Sequence, residues 1–190
     1  MDTGLTSDKL FLDANHLLND AFQLGRQILA SGYRPDMLIA LWRGGTPVAI
    51  AIQELFAYQG IPHDHHVVKT RHYSGIDQRA DEILIEGLEP VLAKVGAESK
   101  LLIVDDVFDT GLTLARLVAE INRLSAVRSD NIRLATPWFK PANNQTLLLP
   151  DYFVHTTDRW IVFPHELQGL GREELSLGKT MLPALRDLLY

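Results

Sequence analysis

The chain is expected to fold as α/β, with a mostly parallel central sheet flanked by helices. Three observations carry that expectation. Short runs such as Leu101–Val104 are apolar at every position, as strands covered on both faces require. These runs alternate with stretches whose apolar residues recur at helical spacing, the pattern of strand-helix-strand units. No repeat, low-complexity tract or linker interrupts the 190 residues, so one domain spanning 1–190 is the economical division.

Taken in order, Ser7 or Asp8 is a candidate cap for a helix reaching about Ser31, with Leu10, Ala14, Leu17, Leu18, Ala21, Leu24 and Ile28 forming its buried face and Gly32 its stop. Asp36–Trp42 reads as a buried strand. RGGTP breaks it, and Val48–Tyr58 reads as a helix ended by Gly60. His65–Tyr73 is a strand candidate, followed by a polar, turn-like loop from Gly75 to Arg79. Glu82–Ala93 fits a strand or a helix, and the pattern does not choose between them. LLIVDD (Leu101–Asp106) is the clearest strand, and LTLARLVAEINRL after it is a helix. IRLATPWF, DYFVHTT and WIVFP read as strands, and KTMLPALRDLLY as a closing helix.

Composition narrows the function. The absence of cysteine excludes disulfides and thiolate metal sites. No secretory signal and no membrane-spanning run is expected, which suits a cytoplasmic protein. A formal charge of −6 and the lack of a basic aromatic stripe argue against nucleic acid as the partner. An anionic ligand would have to be attracted by local groups. The run His63–His66 could suggest a metal site, but neighbours along a strand point to opposite faces, which favours a surface cluster.

The most informative stretch is LLIVDDVFDTGLTL, Leu101 to Leu114. In open α/β sheets ligands bind beyond the carboxyl ends of the strands, where Asp105, Asp106 and Asp109 fall. Thr110, Gly111, Leu112 and Thr113 then open a helix. Its first amides and dipole suit a phosphate, and the hydroxyls can add hydrogen bonds. The paired carboxylates repel phosphate, and instead suit ribose hydroxyls, a developing sugar cation or magnesium. A phosphorylated sugar fits the whole stretch. Both common glycine-rich nucleotide signatures are absent.

This stretch resembles the phosphoribosyl pyrophosphate-binding motif of type I phosphoribosyltransferases, and its Asp-Thr-Gly form resembles the 6-oxopurine branch, especially the xanthine-guanine enzymes. The resemblance implies that Asp105 and Asp106 hold the ribose, with Asp106 helping to organise Mg2+. It implies that Asp109 to Thr113 cradle the 5′-phosphate and that Asp109 is the general base beside purine N7. Trp42, Arg43 and Gly44 match the family's pyrophosphate loop, where a cis peptide is expected at Trp42–Arg43. Residues 70–82 resemble the mobile loop, in which Tyr73 and Ser74 would cover the reacting centre and Arg79 would reach the pyrophosphate. Lys140, in Phe-Lys-Pro-Ala, matches the lysine that contacts purine O6. Trp160 would stack on the base and Ile161 would present its backbone to the purine edge. Glu166 would lie near the far edge of the base or a second magnesium. Here the chain departs from its relatives, with His165 standing where tryptophan is common. By resemblance a hood built mainly from 140–175 covers the strand ends, and the protein is a homo-dimer or homo-tetramer.

The implied reaction joins hypoxanthine, guanine or xanthine to phosphoribosyl pyrophosphate, releasing pyrophosphate. The alternatives are a phosphoribosyltransferase for another base, or a regulator that senses phosphoribosyl pyrophosphate or nucleotide on the same fold.

Overall fold

The computed structural model describes residues 9–73 and 82–179. A short strand β1 (Lys9–Phe11) precedes helix α1 (Ala14–Ala30), which Asp13 caps by accepting the His16 N–H at 2.9 Å. The expected helix therefore starts later than Ser7 or Asp8. Lys9–Phe11 extends instead, because it pairs in parallel with Trp160–Val162. Strand β2 (Met37–Trp42) and helix α2 (Gly45–Tyr58) follow, then β3 (Asp64–Tyr73) and β4 (Glu82–Glu86). The ambiguous stretch resolves into both structures, β4 and then the single-turn α3 (Glu89–Leu92).

The clearest strand is split. Strand β5 (Leu101–Val104) stops, and β6 (Val107–Phe108) resumes along the same neighbour, β7 (Ile132–Phe139). Val104 pairs with Ala135 and Val107 with Trp138, so register is kept across the break. Asp105 and Asp106 occupy that break, at the carboxyl end of β5 where the sequence reading put them, but the pairing with β7 resumes beyond them. Helix α4 (Leu112–Leu124) and β7 match their expected spans. After β7 come β8 (Tyr152–Thr156), β9 (Trp160–Val162) and helix α5 (Arg172–Gly178), the last not anticipated. The expected closing helix lies outside the described residues beyond Lys179.

The main sheet runs β4-β3-β2-β5-β7 with β8 beyond β7, and among the described residues only its β3–β4 pair is antiparallel. Alternation along its strands divides the core in two. Leu38, Ala40, Leu102 and Val104 face α1 and α2, whereas Met37, Ile39, Leu101 and Ile103 face α4 with Leu114, Leu117 and Ile121. Apolar residues at every position of β2 and β5 follow from cover on both faces. Strand β9, expected among the other strands, instead forms a separate two-stranded sheet with β1. Among the described residues no helix is long and apolar enough to cross a membrane.

Candidate active site

Parallel strands carry their carboxyl ends to one edge, so the turns after β2, β5, β6 and β7 converge there. The turn after β2 contains a cis peptide between Trp42 and Arg43, both exposed. Gly44 comes next, against the Asp106 carboxylate: a Cβ there would lie 2.0 Å from Asp106 Oδ2. Any side chain would thus collide with the acid that the loop must approach.

Asp105 and Asp106 differ although they are adjacent. The Asp105 carboxylate accepts the Asp106 N–H at 3.0 Å and the Gly45 N–H. Burial, and then the neighbouring Asp106 charge, push its pKa well above the ordinary carboxylate value. Asp106 is buried, and its Oδ2 lies 3.7 Å from His165 Nε2. The turn after β9 thereby brings His165 towards the Asp106 carboxylate.

Beyond β6, Gly111 adopts φ 76° and starts α4 with no side-chain cap. Leu112 N–H reaches Thr110 Oγ1 at 3.4 Å, and Thr113 lies in the first turn. Open amides and a positive dipole end make this turn suited to an anion. The Asp109-Thr110-Gly111-Leu112-Thr113 run is therefore a loop entering a helix, as its sequence suggests.

Asp109 is held from the next turn along the sheet edge. Lys140 Nζ donates to its Oδ2 at 3.1 Å and Asn143 Nδ2 to its Oδ1 at 2.7 Å. The Lys140 side chain is 8% exposed against 42% for Asp109, so a nearly buried ammonium meets a half-open carboxylate. The same ammonium lies 6.0 Å from the centre of the Trp160 ring, which is itself exposed. Ile161 follows with its side chain in the core, paired in register with Leu10.

Glu166 shares a cavity of about 210 Å³ with Trp160, Val162, Lys9 and Gln168. Its Oε2 accepts the Phe163 N–H at 3.1 Å, closing the turn that carries His165. Lys179 donates to Phe163 O from a buried position, and burial lowers its pKa while Glu166 opposes the shift. Tyr73 ends β3 and pairs with Glu82, so the ends of the 70–82 segment are strand. Ser74 and Arg79 lie outside the described residues.

The structure thus brings Trp42, Arg43, Gly44, Asp105, Asp106, Asp109–Thr113 and Lys140 to one edge, with Trp160 beside Lys140. Sequence reasoning missed Asn143 and the approach of His165 to Asp106. Asn143 has no local signal beyond following Lys140 by three residues in a Pro-Ala turn, a single-turn helix over Pro141–Asn143.

Residues 11–168 match the model of the phosphoribosyl transferase domain. Among solved structures, the chain is similar to a purine phosphoribosyltransferase from Pyrococcus horikoshii Ot3. Identity there is 29%, with 86% of this chain and 97% of that one covered, at a TM-score of 0.66. It is also similar in fold to a hypothetical protein from Neisseria gonorrhoeae with bound ppGpp, at 18% identity, 93% and 98% coverage and a TM-score of 0.71. A xanthine-guanine-hypoxanthine phosphoribosyltransferase from Helicobacter pylori shares 16% identity over 82% of this chain and 91% of its own, at a TM-score of 0.60. No curated protein sequence matches the chain.

Proposed function

The chain belongs to the phosphoribosyltransferase family, and from that premise we propose that it transfers phosphoribosyl from phosphoribosyl pyrophosphate to a 6-oxopurine. The observation that carries the choice of base is the position of Lys140, its ammonium shared between Asp109 and the face of Trp160. An exposed indole offers a stacking surface for a flat base. A nearly buried ammonium donates to a ring carbonyl, which hypoxanthine, guanine and xanthine carry at position 6 and adenine does not.

The reaction proceeds with the ribose hydroxyls on Asp105 and Asp106 and the 5′-phosphate on the amides and hydroxyls of Thr110–Thr113. The Trp42–Gly44 turn receives the pyrophosphate, with Arg43 beside it. Asp109 begins with both oxygens engaged. As the purine enters, Lys140 turns to O6 and releases Asp109 Oδ2, which then takes the N7 proton as N9 attacks the anomeric carbon. The adjacent carboxylates favour positive charge developing on the sugar.

The donor set fits Mg2+, since two adjacent carboxylates supply hard oxygens, and a cation there would offset the burial and the Asp106 repulsion that together raise Asp105. Asp106 would hold it through water, and Glu166 would face the far edge of the base or a second magnesium. Bound there, magnesium would neutralise charge on the departing pyrophosphate.

Pyrophosphate release tests the reading, with magnesium and phosphoribosyl pyrophosphate present and hypoxanthine, guanine, xanthine, adenine, orotate and uracil offered separately. Turnover with 6-oxopurines is expected. Turnover with another base alone would keep the sugar site and overturn the roles given to Lys140 and Trp160. No turnover by folded protein that binds phosphoribosyl pyrophosphate would make it a sensor.

A further inference from the structure

On the α1 face of the sheet, in a part of the fold that the proposed reaction does not use, three ligand-bearing side chains converge. His16 and Asp20 stand four residues apart on α1, and so on one face of that helix. His155 reaches them from β8. One ligand atom from each lies within 4.8 Å of the others, and among the described residues no other group of three or more His, Asp or Glu converges in this way.

Asp20 is the anomaly. Its side chain is 2% exposed, and only one oxygen is satisfied, Oδ1 meeting His155 Nε2 at 2.9 Å. The other, Oδ2, is buried with no hydrogen-bond partner, and His16 Nε2 stands 3.7 Å away, too far for one. A buried carboxylate oxygen without a donor is costly, and native proteins rarely leave one so. Leu17, Ala21 and Leu24 on the same helix are packed into the core, so the acid occupies a face that an apolar residue would fill well.

The geometry points to a divalent transition-metal site built from His16, Asp20 and His155, of the class that takes Zn2+. Two imidazoles and one carboxylate are borderline donors that suit zinc, cobalt or nickel better than magnesium or calcium. Around a tetrahedral zinc with bonds of about 2.1 Å, neighbouring ligand atoms lie about 3.4 Å apart. His155 Nε2 lies 2.9 Å from Asp20 Oδ1 and His16 Nε2 lies 3.7 Å from Asp20 Oδ2, while one ligand atom of each side chain falls within 4.8 Å of the others, so side-chain rotations would bring the three to the spacing the ion requires. The ring of His155 is already held, tilted against the Trp138 indole with centroids 4.4 Å apart. His16 is about half exposed, which leaves a path for the ion and a fourth position for water. A filled site would tie α1 to the edge strand β8.

The test is zinc binding by the full chain in excess magnesium, which occupies the carboxylates of the other site. Equilibrium dialysis would be paired with the visible spectrum of the cobalt-loaded protein and with thermal unfolding. The wild type is expected to bind one zinc per chain and to unfold at a higher temperature when loaded. His16→Ala, at a half-exposed position, is expected to remain folded, to bind at least about tenfold more weakly and to lose both the cobalt bands and the thermal shift. His155→Gln is expected to behave alike. The double variant His65→Ala/His66→Ala, which removes two histidines of β3, should bind as the wild type does. Equal affinity in the wild type and His16→Ala, loss of binding in the β3 variant, or no binding at all would each overturn the site.

Discussion

Replacing Lys140 with methionine removes the ammonium while keeping a similar length of apolar stem. In the free protein the change is mild. The partner Asp109 is 42% exposed and retains Asn143 as a donor, so the lost ion pair is worth no more than about 1 kcal/mol of stability. The Lys140 stem is almost fully buried, and methionine fills such a channel. In the proposed purine complex the change is expected to be larger, because there a hydrogen bond from a charged donor to the purine carbonyl would be lost. Such bonds contribute about 1.5–3 kcal/mol, which corresponds to a fall of about 10- to 150-fold in kcat/KM for a 6-oxopurine. The KM for phosphoribosyl pyrophosphate should hardly move, since the proposed function gives Lys140 to the base and not to the sugar. Steady-state kinetics with hypoxanthine and guanine, read beside a urea denaturation curve, measures both parts. A variant with unchanged purine kcat/KM, or one whose phosphoribosyl pyrophosphate KM rises as much as its purine KM, would refute the assignment.

Asp109→Asn should lower kcat by about 100-fold or more while altering phosphoribosyl pyrophosphate binding little, as loss of a general base requires; equal losses in turnover and binding would remove it from that role. Gly111→Ala should destabilise the protein by about 2–4 kcal/mol in urea unfolding, since an L side chain at φ 76° is disfavoured and its Cβ would lie 2.7 Å from the Phe108 ring. A loss below about 1 kcal/mol would mean that the ring yields freely. Tyr33 supplies a pH test. Its hydroxyl lies 2.8 Å from both Leu101 O and Asn131 O, and burial raises the phenol pKa well above its ordinary value, with Arg133 opposing. The unfolded chain therefore ionises first, so this contribution is complete below about pH 10 and declines as pH rises beyond it. Tyr33→Phe should cost about 1 kcal/mol at neutral pH and flatten that alkaline decline in urea midpoints. An unaltered slope would assign the decline to other groups.

Much of the scaffold was legible locally. Met37–Trp42 and Leu101–Val104 are apolar throughout because helices cover both faces of their sheet, and that pattern is written in consecutive residues. Helix α4 and strand β7 were readable from end to end, and so was the acidic loop before α4, whose residues act together within one turn of chain. The N-terminal segment was misread for a physical reason. Leu10 fits the helical spacing of Leu17 and Leu24, yet Lys9–Phe11 extends to pair with Trp160–Val162, a partner with no trace in neighbouring residues. The interruption at Asp105–Asp106 was likewise hidden, since composition marks the carboxylates but not the retained register with β7.

By itself, then, the sequence determined the alternating α/β order, the doubly covered strands and the Asp-Thr-Gly turn, because each depends on short-range periodicity or on adjacent residues. Tertiary structure alone decided that Lys140 and Asn143 clamp Asp109, that His165 approaches Asp106, and that Asp20 is buried between two histidines. Apart from the His16–Asp20 pair on one helix face, these contacts join residues far apart along the chain, and their geometry is set by how sheet and helices pack, which no local pattern encodes.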